Sequence, residues 1–144
     1  MFGSEFHFVK GGKLPGLFGG DTSCSGGAES ERCFSTRFMW RRDGDGEVYG
    51  YLPNDQADGF CDDPDVHCNY EYGHSLGRGS WQFVPGEWVR IAQVVTLNTP
   101  GSLDGSIVVL VNGEEVYRYK YWSIILGYRL SFLKERKAEH PAVC

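Results

Sequence analysis

The chain has 144 residues and a formal net charge of −5, enough for one domain with its own core and not comfortably for two. The acidic balance argues against a nucleic-acid binder, which ordinarily carries a basic surplus, and no stretch approaches the ~20 apolar residues of a membrane-spanning helix. An acidic ligand is compatible with this balance only if a local basic groove receives it.

In chain order, Met1-Phe2-Gly3-Ser4-Glu5-Phe6 reads as an added junction or an incomplete start. Residues 10–30 are Gly-rich, hold Lys13-Leu14-Pro15-Gly16, and are expected to be loop. Residues 33–41 alternate and predict a strand. Asp43-Gly44-Asp45-Gly46 is a turn; a calcium loop would need the rest of an EF-hand pattern, which is missing. Residues 47–52 predict a second strand, and residues 53–80 a long polar excursion. Charge is uneven here. Asp55, Asp58, Asp62, Asp63, Asp65 and Glu71 come with no Lys or Arg among them, whereas Lys10, Lys13, Arg32, Arg37, Arg41 and Arg42 all lie earlier. Residues 88–97, rich in Val and Ile, predict a strand. Residues 107–111 and 114–121 flank Asn112-Gly113, the strongest short hairpin signal. Residues 122–144 form a divergent tail whose Ile124-Ile125-Leu126 and Lys134-Glu135-Arg136-Lys137 are either helix or frayed chain. There is no internal repeat. The whole predicts an all-β domain over residues 1–121, an antiparallel β-sandwich or jelly roll, incomplete, with an atypical C-terminal tail.

Cysteines fall as two close pairs, Cys24 with Cys33 and Cys61 with Cys68, plus Cys144 in the tail. Two local disulfides predict an oxidising, extracellular setting and a pinned 53–80 excursion. Free buried thiols are the alternative; a zinc site is a third, although CxxC and HxxxH spacings are missing. With no signal peptide in view, disulfides imply that the natural start lies upstream.

Strand periodicity puts Ser35, Arg37, Met39 and Arg41 on one face and Phe34, Thr36, Phe38 and Trp40 on the core face. In the next strand Glu47, Tyr49 and Tyr51 oppose Val48, Gly50 and Leu52. The polar faces coincide if the hairpin loop is odd in length, as Gly44-Asp45-Gly46 or residues 42–46 would be. Ser35, Arg37, Tyr49 and Tyr51 then line one concave surface with Glu47 at its rim. A glycoside hydrolase needs two placed carboxylates, and this face supplies only Glu47. Uronate β-elimination needs other parts: a cation to neutralise the sugar carboxylate, a base for the C5 proton, and an acid for the leaving oxygen. Arg suits the first task, and Lys and Tyr suit the others when neighbouring positive charge lowers their pKa. The competing reading is a solvated strand Arg beside two Tyr packed across a sheet.

Phe8-Val9-Lys10-Gly11-Gly12-Lys13-Leu14-Pro15-Gly16, Cys24-Ser25-Gly26-Gly27, Phe34-Ser35-Thr36-Arg37-Phe38-Met39-Trp40-Arg41 and Gly46-Glu47-Val48-Tyr49-Gly50-Tyr51-Leu52-Pro53 closely resemble polysaccharide lyase family 14. Leu76-Gly77-Arg78-Gly79-Ser80-Trp81 looks like fungal members. The resemblance covers roughly residues 6–118 and implies a β-jelly roll that cuts alginate or a glucuronate polymer. It implies catalytic roles for Lys13, Ser35, Arg37, Tyr49 and Tyr51. Arg37, aided by Ser35, would neutralise the carboxylate, Lys13 is the candidate base, and Tyr51 or Tyr49 the acid, with a Tyr able to serve as base as well. Lys10, Arg41 and Glu47 are expected to contact substrate beside them. The expected partner is an acidic polysaccharide bound by a monomer, with no nucleic acid, membrane, metal or cofactor required. The chain starts almost at the Lys-Leu-Pro-Gly loop and ends unlike the family, so truncation at both ends is expected. A non-catalytic carbohydrate-binding module and an inactive truncated product are the competing functional readings.

Overall fold

Alternating apolar residues become strands here because one face of each can be buried against a second sheet. The computed structural model describes residues 1–20, 24, 30, 33–54 and 56–122. Its strands are β1 (Gly12–Gly20), β2 (Cys33–Trp40), β3 (Gly46–Tyr51), β4 (Val66–His67), β5 (His74–Leu76), β6 (Ile91–Thr96), β7 (Gly105–Val111) and β8 (Glu114–Trp122). They form a five-stranded sheet in the order β1-β2-β3-β5-β4 and a three-stranded sheet in the order β6-β7-β8. Every pairing is antiparallel. The fold is thus the expected all-β sandwich of the jelly-roll kind. Among the described residues, no helix is long and apolar enough to cross a membrane.

The core lies between the sheets. Phe34, Phe38, Val48, Val66 and Leu76 come from the larger sheet, and Ile107, Val109 and Tyr117 from the smaller. Each such side chain stabilises the fold by about 1.5–3 kcal/mol through area removed from water. The Gln93 side-chain amide on β6 also donates to the Thr36 carbonyl of β2, tying sheet to sheet. Phe2 and Phe6 belong to this packing. Phe2 contacts Phe8, Trp40 and Phe83 with ring centroids 4.9, 5.3 and 5.5 Å away, so the opening residues, read as a junction, support the core.

Three further expectations are corrected. Residues 12–20 are strand rather than loop. The ladder to β2 satisfies the edge, and an irregularity between Lys13 and Gly16 absorbs Pro15, which has no N–H to give. The 53–80 excursion carries β4 and β5, which extend the sheet beyond β3. Trp88 to Arg90 precede β6 rather than belonging to it. The Asn112-Gly113 hairpin forms as expected between β7 and β8, both residues having positive φ (53° and 93°) as a type I′ turn demands. Both disulfides form: Cys24 and Cys33 have Cα atoms 5.7 Å apart, and Cys61 and Cys68 5.6 Å. The expected helix or frayed chain after Trp122, and unpaired Cys144, lie outside the described residues.

Candidate active site

The β2–β3 register decides which side chains meet. Arg37 stands opposite Tyr49, Ser35 opposite Tyr51, and Met39 opposite Glu47. Residues directly opposite in an antiparallel pair share a face, with Cβ atoms about 5 Å apart. Trp40 pairs with Gly46, so the loop between them is residues 41–45. It is odd in length, as the coincident faces require, but ends one residue earlier than either expected loop. Arg41 therefore leaves the strand. The Arg41 N–H donates to the Asp45 carbonyl, and Asp43 takes a positive φ of 61° inside the turn.

Lys13 reaches the same face because β1 is irregular. Lys13 pairs with Met39, yet Gly16 rather than Pro15 pairs with Arg37. Leu14 and Pro15 together occupy the place opposite Phe38, and this extra residue keeps Lys13, Gly16 and Phe18 on the Arg37 side. Gly16 is required by contact: a Cβ there would lie 1.8 Å from the Thr36 carbonyl oxygen and 2.5 Å from the Arg37 Cα. The Lys13 ammonium then sits 5.2 Å from the Tyr49 ring centroid and 5.6 Å from that of Tyr51. The two phenols meet edge to face with centroids 5.6 Å apart. The Arg41 guanidinium also lies 5.6 Å from the Tyr49 centroid.

Tyr49 is the most tuned of these groups. Its oxygen accepts the Gly73 N–H at 2.9 Å. Burial pushes its phenol above the ordinary tyrosine value, and Tyr51 adds to the rise; the Gly73 N–H and the Arg41 guanidinium pull the other way without prevailing. The expectation that positive neighbours would lower this pKa is thus corrected, because desolvation outweighs them.

The face is more enclosed than an exposed strand surface. Ser35 is 1% exposed and its hydroxyl donates to the Cys24 carbonyl at 3.0 Å. Cys24 and Cys33 pack with Tyr51 and Tyr49 as a small second core. Ser35 therefore anchors the disulfide loop beside Arg37. Glu47, expected at the rim, is fully buried at 0% exposure. Arg41 Nε donates to its Oε1 at 2.8 Å and Arg41 Nη2 ion-pairs with the same oxygen at 2.6 Å; Arg78 Nε donates to Oε2 at 2.6 Å, and the Ser75 hydroxyl joins it there. A carboxylate so engaged is a structural anchor, out of reach of a substrate. Among the described residues, Arg37 has no carboxylate partner.

Lys13, Tyr49, Tyr51 and Arg41 are thus in contact, with Arg37 and Ser35 beside them by register. Lys10 is exposed in the bend before β1, apart from the ring cluster. Sequence reasoning missed Gly73 as a donor, Ser75, and the role of Arg78. The last had a signal: an arginine set between glycines just after a wholly acidic stretch.

Residues 1–126 match the family model described as Polysaccharide lyase 14. The marine PL-14 alginate lyase from Aplysia kurodai is 42% identical with a TM-score of 0.77, covering 87% of this chain and 51% of that one. The alginate lyase from Chlorella virus is 29% identical with a TM-score of 0.66, covering 86% and 52% respectively. Alginate lyase Aly36B, 21% identical with a TM-score of 0.57 over 85% of this chain and 49% of that one, bears on the fold alone. The chain spans about half the length of these solved structures. No curated protein matches it.

Proposed function

The chain belongs to polysaccharide lyase family 14, and from that premise we propose that it cleaves a 1,4-linked polyuronate, alginate or glucuronan, by β-elimination in an extracellular setting. The observation that carries this reading is a cationic and phenolic cluster with no usable carboxylate pair among the described residues. Lys13 lies 5.2 Å from the Tyr49 ring and Arg37 stands opposite Tyr49, while Glu47, the carboxylate on this face, has both oxygens engaged. Among the described residues, a two-carboxylate hydrolysis has no second partner there.

In the proposed reaction the Arg37 guanidinium binds the uronate carboxylate and spreads its charge, which makes the C5 proton more acidic. Ser35 and the Cys24–Cys33 bridge hold the start of β2, the strand that carries Arg37. Lys13 takes the C5 proton, and its electron pair becomes the C4–C5 double bond as the C4–O bond breaks. Tyr49 gives its proton to the leaving oxygen, a role suited to a phenol whose burial keeps it protonated. Tyr51, against both Tyr49 and Lys13, positions them. The names of the Aplysia kurodai and Chlorella virus relatives favour alginate, and the two disulfides favour an oxidising compartment.

The test is a turnover assay on alginate, polymannuronate, polyguluronate and glucuronan, read as the ultraviolet absorbance of the unsaturated uronate end. Absorbance should rise on one polymer, and Arg37→Ala should reduce the rate at least about a hundredfold. Near-normal turnover in Arg37→Ala would remove that residue from the mechanism. A folded chain that binds a polymer and never yields the absorbance would be a carbohydrate-binding module.

A further inference from the structure

We propose that Arg41 and Arg78 together form a second carboxylate-binding subsite, which takes the carboxylate of a neighbouring uronate unit in the same polymer. This deepens the polyuronate reading and rests on it. One buried carboxylate, Glu47, lies beneath two guanidiniums, so the spot keeps one unit of positive charge. Neither guanidinium is used up. Arg41 bonds Glu47 through Nε and Nη2 and Arg78 through Nε; among the described residues, no acceptor meets Arg41 Nη1 or either Nη of Arg78. Their side chains keep 30% and 38% of their exposure.

The pair is also held still. The Gly77 N–H donates to the Asp65 carbonyl and the Gly79 N–H to the Gly46 carbonyl, pinning the backbone on both sides of Arg78. The ion pairs stop two long side chains from wandering, which lowers the ordering cost of binding. A buried ion cluster adds little to stability that an apolar residue at position 47 would not add, so its evident effect is to aim the guanidiniums. They are aimed at the right place. The Arg41 guanidinium lies 5.6 Å from the Tyr49 centroid, and Glu47 is two residues from Tyr49 along β3, about 7 Å. A polymer whose reacting unit lies over Arg37 and Tyr49 would bring its next unit to this pair. Planar forks with free N–H groups fit a carboxylate in two-point contact.

The experiment measures affinity electrophoresis of the 144-residue chain in gels holding polymannuronate, glucuronan or a neutral 1,4-linked mannan. Arg78→Gln should bind the preferred acidic polymer about tenfold more weakly, the loss expected of a charge-assisted contact. Retardation by mannan should not change, and Glu47 keeps Arg41 and Ser75 as partners, so the variant should fold. Arg78→Lys, which keeps the charge and loses the fork, should fall between; should Arg78→Gln not fold, Arg78→Lys is read the same way. Equal affinity of variant and parent for the acidic polymers would overturn the subsite, as would equal losses on acidic and neutral gels, or a parent chain that neither acidic polymer retards. Turnover separates the two readings. A parent that binds through Arg78 without cleaving removes the lyase and keeps the subsite. A parent that cleaves, with polymer KM unmoved in Arg78→Gln, removes the subsite and keeps the lyase.

Discussion

Gly16→Ala should damage both stability and turnover, and its size follows from the β1–β2 contact. The added methyl would lie 1.8 Å from the Thr36 carbonyl oxygen and 2.5 Å from the Arg37 Cα, both backbone atoms that no rotamer change can move. Reaching ordinary contact at 3.4 Å requires the strands to part by about 1.5 Å. Overpacking of this kind costs about 1–3 kcal/mol, and a weakened ladder bond adds about 1 kcal/mol. A total near 3 kcal/mol should lower the urea midpoint by about 1–2 M. The same displacement carries Lys13 away from Tyr49, and a misplacement on the order of 1 Å costs about a hundredfold in rate. Urea titration followed by tryptophan fluorescence gives the first quantity and the lyase assay the second. Gly3→Ala is the control: nothing lies within 4 Å of a Cβ there, so its stability should stay within about 0.5 kcal/mol of the parent's. A Gly16→Ala chain with the parent's midpoint and turnover would refute the argument that close strand approach places Lys13.

Tyr49→Phe should keep the fold, checked by circular dichroism, and lose about a hundredfold or more in rate, because it deletes both the proposed acid and the acceptor for Gly73. Since burial raises the Tyr49 pKa, the parent should keep its acid form past the ordinary value of about 10, and the alkaline fall of kcat/KM should lie above that value; a fall well below it would reassign the acid. Replacing Cys24 and Cys33 together by Ala should cost about 2–3 kcal/mol in chemical denaturation and slow turnover, since Ser35 and Tyr51 both rest on that loop; unimpaired turnover would detach the loop from the site. Burial holds the His74 imidazole below its ordinary pKa, and its Nδ1 accepts the Asn69 N–H, so the folded chain keeps it neutral. The unfolded chain takes up the proton first. Stability from this group is therefore full above about pH 6.5 and falls as pH drops below it, by at most about 1.4 kcal/mol per pH unit. His74→Gln should flatten that slope relative to the parent, and an unchanged slope would contradict the assignment.

Much of the site was legible because its parts are local. Alternation in residues 33–41 and 47–52 depends only on the two-residue period of a strand, so Phe34, Phe38 and Val48 go to the core while Arg37 and Tyr49 share the other face. The odd loop sufficed to align those faces, although its end was off by one residue. The Asn112-Gly113 turn and both disulfides were equally local, spanning a few residues each. Charge type also carried far: a face with Arg, Lys and Tyr and a lone Glu points away from hydrolysis before any coordinates exist.

What the sequence alone could not decide were matters settled by partners distant along the chain. Composition made residues 12–20 look like loop, since Gly and Pro weaken strands in isolation; pairing to β2 overrides that preference, and the extra residue in β1 reverses the parity that would place Lys13. Glu47 read as a rim acid because period two gives its face and not its depth. Its burial depends on Arg78 and Ser75, 31 and 28 residues away, brought in when β5 pairs with β3. The Tyr49 pKa likewise rises because packing removes water faster than the nearby cations compensate. Local pattern determined which residues share the face of Arg37 and Tyr49; only tertiary packing decided how deep each one sits, what charge it meets, and which arginines close on Glu47.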